Sequence, residues 1–264
     1  MAVNPILLKA IPGLGLTLIA GGVGSGKSCL IYSLLEAFHQ IDTSRPCAAF
    51  NFPKEKAHLL PNYIKVTDDL NFPERSIVIA DEAYMAFHSK DQNSDANRFM
   101  DLLSGLVRQK ELLVFFVTQT TRKLSLAQTS SCQALLVKMP DVMMVKLDRR
   151  ELRGILEAAM KGFRALPVAE RQEALYVVST EYEGMLAKAN TPPSFWTHEL
   201  STAWQGVDLV KNQTTHDPTI LPAPKGNNCD HCNVKLEKRA VMRALNSGAL
   251  RVSDLGQVDF RSNQ

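Results

Sequence analysis

An apolar run, Leu16-Thr17-Leu18-Ile19-Ala20, passes directly into Gly21-Gly22-Val23-Gly24-Ser25-Gly26-Lys27-Ser28, which satisfies G-x-x-x-x-G-K-[ST] at every position. Nothing else in the chain constrains the fold as tightly. Glycine at this density lets the backbone curl until successive N–H groups converge on one point, where a Cβ would collide with the group they hold. Beyond Lys27, residues Leu30, Ile31, Leu34, Leu35 and Phe38 recur at helical spacing. Strand, loop and helix together present converging N–H groups and a helix N-terminus, a positive pole suited to phosphate. In that setting Lys27 reaches the β- and γ-phosphates of a nucleotide, and the Ser28 hydroxyl is a ligand for Mg²⁺. ATP and Mg²⁺ are the expected cofactors. The expected nucleotide site is Gly21, Gly22, Val23, Gly24, Ser25, Gly26, Lys27, Ser28 and the adjoining Cys29.

A second apolar strand, Ser76-Ile77-Val78-Ile79-Ala80, ends in Asp81-Glu82. Asp81 is placed to hold Mg²⁺ through its water shell. Adjacent strand residues point to opposite sides, so Glu82 is free for a separate task, polarising the water that attacks the γ-phosphate. A carboxylate that activates water argues for hydrolysis over phosphoryl transfer. A third run, Leu112-Leu113-Val114-Phe115-Phe116-Val117, ends in Thr118-Gln119, whose amide is placed to sense the γ-phosphate or the lytic water.

Further strands are expected at Ala48–Phe52, Ala134–Met139 and Tyr176–Ser179, with helical spacing over Ser28–His39, Ala96–Lys110 and Arg149–Gly162. Runs that are apolar on both faces and alternate with helices imply a mainly parallel α/β sheet covered on both sides. Residues 205–228 are rich in Gly, Pro, Asn and Thr and read as a connector. The expected organisation is therefore a domain over 1–204 and a small irregular tail over 205–264. With 45% apolar and 22% charged residues the chain is neither disordered nor fibrous. No run approaches the ~18–20 apolar residues of a membrane span, and Met1–Ala10 lacks the marks of a secretory leader, so a soluble intracellular protein is expected. The 5 Cys, an odd number, argue against a disulfide framework. A formal charge of +3 permits a polyanionic partner without announcing one.

Gly21–Ser28, Asp81-Glu82, Arg108 just before the third run, and Thr118-Gln119 together resemble the additional-strand, catalytic-glutamate P-loop ATPases. Within them the order resembles the FtsK–HerA superfamily, where the acidic strand is followed by a helix carrying an arginine and then by a strand ending in Thr-Gln. The compact size is most similar to the genome-packaging ATPases of membrane-containing icosahedral viruses. The resemblance spans about residues 14 to 140 and implies a three-layer P-loop NTPase sandwich with the sensor strand between the phosphate-loop and acidic strands. It implies a hexameric ring that moves double-stranded DNA into a preformed capsid, with Arg108 completing a neighbouring subunit's site and Arg98 and Arg122 as substitutes. Capsid or viral membrane proteins are expected partners, and the host cytoplasm or a packaging vertex of the virion is the expected location. Two other uses of the site stay open: an ATPase of secretion or filamentous-virus morphogenesis exporting DNA or protein, and a non-motor nucleotide-dependent switch.

Other features admit bland readings. Arg149, Arg150 and Arg153 suit a solvated helix face better than a phosphate-clamping lid. Phe87–Asn97 and Thr120–Ser131 are candidate DNA loops, though neither is strongly basic, and polar surface loops would read the same way. Cys229 and Cys232 form one C-x-x-C pair, half of a zinc site; without a second pair they read first as free thiols. Phe195, Trp196 and Trp204 suit a core or a subunit interface better than a base-stacking platform.

Overall fold

The computed structural model describes residues 3–81, 102–103, 105–119 and 131–205. Eight strands form one sheet: β1 (Gly15–Ala20), β2 (Cys47–Phe50), β3 (Ile64–Thr67), β4 (Ile77–Ala80), β5 (Leu113–Thr118), β6 (Ala134–Val137), β7 (Leu175–Ser179) and β8 (Glu183–Leu186). Their order is β3-β2-β4-β5-β1-β6-β7-β8. The six strands from β3 to β6 in that order are parallel, and β7 and β8 close one edge antiparallel. The helices are α1 (Pro5–Ala10), α2 (Lys27–Ile41), α3 (Val142–Leu147), α4 (Arg150–Ala165) and α5 (His198–Ser201), and residues 105–109 are also helical. Among the described residues no helix is long and apolar enough to cross a membrane.

The central strands look uniformly apolar in sequence because both of their faces are covered, and their period of two sorts them into two cores. Ile19, Ile77, Ile79, Leu113, Phe115 and Val117 meet Leu30, Ile31, Leu34 and Leu35 of α2. Leu16, Leu18, Ala20, Val78, Ala80, Val114 and Phe116 fall on the other side, with Leu103, Val107 and Leu152, Leu156 and Ala159 of α4. Burial of each large aliphatic side chain contributes about 1.5–3 kcal/mol, so both sheet faces hold the strand ends in place. Phe195 and Trp196 pack with ring centroids 6.0 and 6.1 Å from that of Tyr32 on α2, a core role.

The α/β sandwich expected from the sequence is present. Five elements were not expected, among them the single-turn helix α5. The edge strands β3 and β8 are part-exposed and lack an apolar run, α1 is short, and α3 presents Val142, Met143 and Leu147 to solvent. Local chemistry still explains α1 and α3: Asn4 Oδ1 accepts from Ile6 N at 2.9 Å ahead of Pro5, and Asp141 Oδ1 accepts from Met144 N at 2.6 Å.

Candidate functional site

Three strands bring their sequence motifs to one edge of the sheet. In the parallel register Ala20 pairs with Thr118 and Ala80 with Phe116. Gly21 and Gln119 therefore each lie one residue past the β1–β5 pairing, and Asp81 lies one residue past the β4–β5 pairing. Thr118 is buried inside β5 and Gln119, part-exposed, follows it. Asp81 is buried, and its charge is felt on α2: the Tyr32 hydroxyl is pushed well above its usual pKa, first by burial and then by Asp81.

The glycine loop has the geometry its sequence requires. Gly26 is the N-cap of α2 in the left-handed region, φ 87°, where a side chain would be strained. It provides no side-chain cap, and the first turn of α2 holds no acidic residue, so the positive end of the helix is left unopposed. Lys27, buried, donates from Nζ to Gly21 O at 3.0 Å and Gly22 O at 2.7 Å, folding its ammonium back across the loop. Ser25 Oγ is buried with no hydrogen-bond partner among the described residues, and Ser28 stands part-exposed in the first turn of α2. An orphaned hydroxyl, a cradle of glycines and an ammonium at its mouth fit a chain of phosphates. Ser28 and Asp81 are hard oxygen donors that fit Mg²⁺.

Close approach also fixes Gly21. A Cβ there would lie 2.9 Å from Lys138 Cβ, 2.9 Å from Ser25 Oγ and 3.0 Å from Lys138 O. Gly21→Ala is expected to cost about 1–3 kcal/mol of stability, the scale of overpacking. It should also abolish the rise in melting temperature that an ATP analogue gives the wild type, which paired thermal melts would show.

The remaining predicted residues are placed as follows. Arg108 is exposed, next to buried Val107. Arg150 and Arg153 lie exposed in the first turn of α4, as a solvated face requires. Glu82, Arg98, Arg122, the loop Phe87–Asn97, all of Thr120–Ser131 except Ser131, and the pair Cys229 and Cys232 lie outside the described residues. Sequence reasoning missed Lys138, which lies beneath the loop. The available signal was a single lysine in the apolar run Ala134-Leu135-Leu136-Val137-Lys138-Met139.

The decisive observation is the position of β5, between the strand that enters the phosphate loop and the strand that ends at Asp81. This is the additional-strand P-loop NTPase fold. Solved structures similar to this chain include the genome packaging NTPase B204 from Sulfolobus turreted icosahedral virus 2 in complex with AMP. That match has 15% identity over 69% of this chain and 100% of that one, with a TM-score of 0.47. The DNA-packaging ATPase B204 from Sulfolobus turreted icosahedral virus matches at 15% identity over 69% and 98%, TM-score 0.46. The pCW3 conjugation coupling protein TcpA, in its monomer form with ATPγS, matches at 12% identity over 67% and 60%, TM-score 0.47. Genome-packaging ATPases thus stand among the structures to which the chain is similar. No family model matches the sequence, and no curated protein matches it either.

Proposed function

We propose that this P-loop NTPase hydrolyses ATP and uses the energy to move double-stranded DNA, working as a hexameric homo-oligomer that packages a viral genome into a preformed capsid. The observation that carries the ATPase reading is the placement of β5, which sets Gln119 between the phosphate loop and Asp81. The loop and Lys27 hold the phosphates, and Ser28 and Asp81 hold Mg²⁺, which neutralises charge on the phosphate oxygens when bound. Glu82 takes a proton from the attacking water and Gln119 reports the γ-phosphate. The DNA reading is supported by the order of motifs, in which an arginine helix precedes a strand ending in Thr118-Gln119. On this reading the protein acts in the host cytoplasm or at a packaging vertex, against capsid or viral membrane proteins.

Arg108, exposed on its own subunit, is the group that reaches a neighbour's γ-phosphate. Arg108→Ala subunits should bind ATP as the wild type does and should suppress wild-type turnover when the two are mixed. Unchanged turnover across the mixing series would remove Arg108 from the site. The motor reading is tested by ATPase rate with and without double-stranded DNA, alongside a mass measurement of the assembly. Stimulation by DNA in a ring-sized particle is expected; a DNA-indifferent monomer would contradict it.

A further inference from the structure

Lys138 follows β6 and is fully buried, at 0% exposure. Its Nζ donates to three neutral oxygens: Gln172 O at 2.5 Å, Ala174 O at 3.2 Å and Asn190 Oδ1 at 3.3 Å. Among the described residues no carboxylate lies within salt-bridge distance of it. An ammonium buried without a counter-ion is costly to hold, and a staple joining a strand to a loop could be made by an uncharged donor.

The surroundings point to what that charge does. A Cβ on Gly26 would lie 3.5 Å from Lys138 Cε and 3.8 Å from its Nζ, so the ammonium sits directly beneath the last turn of the phosphate loop. The backbone is tied there too: Lys138 N donates to Ala20 O at 2.8 Å, and Gly22 N donates to Met139 O at 3.0 Å. The Asn190 that holds Nζ also donates to Ser33 Oγ at 3.4 Å, and Ser33 Oγ in turn donates to Thr191 O at 2.8 Å. Ser194 N donates to Glu36 at 3.2 Å, so segment 190–194 fastens α2 and Lys138 together.

We propose that Lys138 is a positioning residue of the phosphate site, its Cβ and carbonyl set against Gly21 and its buried, unpaired ammonium lying under Gly26, so that the loop binds nucleotide phosphates more tightly. The inference rests on the nucleotide-binding reading above and adds a second cation to Lys27, one that touches the loop and not the phosphates. Burial brings Lys138 down to about 8, offset in part by Cys29 and Glu173. These are the titratable groups facing it, from α2 and from the turn before β7; burial pushes the Cys29 thiol up, and Lys138 in turn draws it back down. A bound polyanion favours the charged ammonium, so binding near pH 8 should draw a proton onto Lys138. The two pH dependences then oppose each other. A lysine with a lowered native pKa adds stability that is complete above about 10.5 and lost as pH falls through about 8. Nucleotide affinity should instead fall as pH rises through about 8.

The test is calorimetric titration with ATPγS at pH 8, in two buffers of different ionisation enthalpy, on the wild type and on Lys138→Met, with adenosine as the phosphate-free control. The wild type should take up about half a proton per ATPγS bound, the largest amount available at a pH equal to the pKa. Lys138→Met should take up none, bind ATPγS about tenfold more weakly, the effect of about 1.4 kcal/mol, and bind adenosine as the wild type does. Equal proton uptake and equal ATPγS affinity in the two proteins would make Lys138 a structural staple only and overturn the inference. Should Lys138→Met not fold, the wild type alone decides: no proton uptake at any pH between 7 and 9.5 overturns it. Failure of the wild type to bind ATPγS at all would instead overturn the nucleotide-binding reading.

Discussion

Replacing Glu82 with Gln is expected to leave ATP binding close to wild type and to slow hydrolysis by at least about 100-fold, the lower bound of what a positioned general base contributes. The substitution keeps size and hydrogen-bonding shape while removing the ability to take a proton. Its neighbour Asp81 directly follows β4, near enough to α2 for its charge to raise the Tyr32 pKa, and Glu82 is the next residue in the sequence. Single-turnover hydrolysis with binding measured in parallel separates the two effects. A motor carrying Glu82→Gln should trap ATP and stall, whereas a switch that acts through its bound state should keep its function. Hydrolysis within a fewfold of wild type would show that the proton goes elsewhere.

Lys27→Met should have an effect of similar size on an earlier step. The methionine keeps most of the buried stem, but the ammonium that donates to Gly21 O and Gly22 O is lost. So is the positive charge expected to turn onto the β- and γ-phosphates. Removing one preorganised donor from developing charge costs about 2.7–4 kcal/mol, or roughly 10²–10³-fold in turnover. Affinity for ATP should fall with it, in contrast to Glu82→Gln. Far-UV circular dichroism and a thermal melt would establish that the loop variant is folded.

How far the sequence reveals this molecule depends on where each interaction closes. The phosphate loop is legible because glycine density, Lys27 and the apolar stripe of α2 lie within about 20 consecutive residues and each demands the others. Strands β1, β4 and β5 are legible because burial on both faces leaves unbroken aliphatic runs. Their spatial order is not written in any one segment: the placement of β5 between β1 and β4 was expected only from the resemblance, and strand pairing displays it. Edge strands escape notice for a physical reason. Ile64–Thr67 and Glu183–Leu186 each bury one face at most, so polar residues enter them and the apolar signal fades. Strand β7 was expected as a strand, but its antiparallel direction follows from the way the chain returns after α4. Lys138 is the extreme case. A lysine after an apolar run reads as the solvated end of a strand, and only the carbonyls of Gln172 and Ala174 with Asn190, 34 to 52 residues further on, make its burial tolerable.

The measurement with the most to say is steady-state phosphate release from ATP by the purified full chain, with Mg²⁺ present and with Mg²⁺ chelated, beside Lys27→Met. Release that requires both Mg²⁺ and Lys27 is the predicted result. Absence of release under every metal and DNA condition, or release that persists undiminished in Lys27→Met, would contradict the assignment of this loop and Asp81 to ATP hydrolysis.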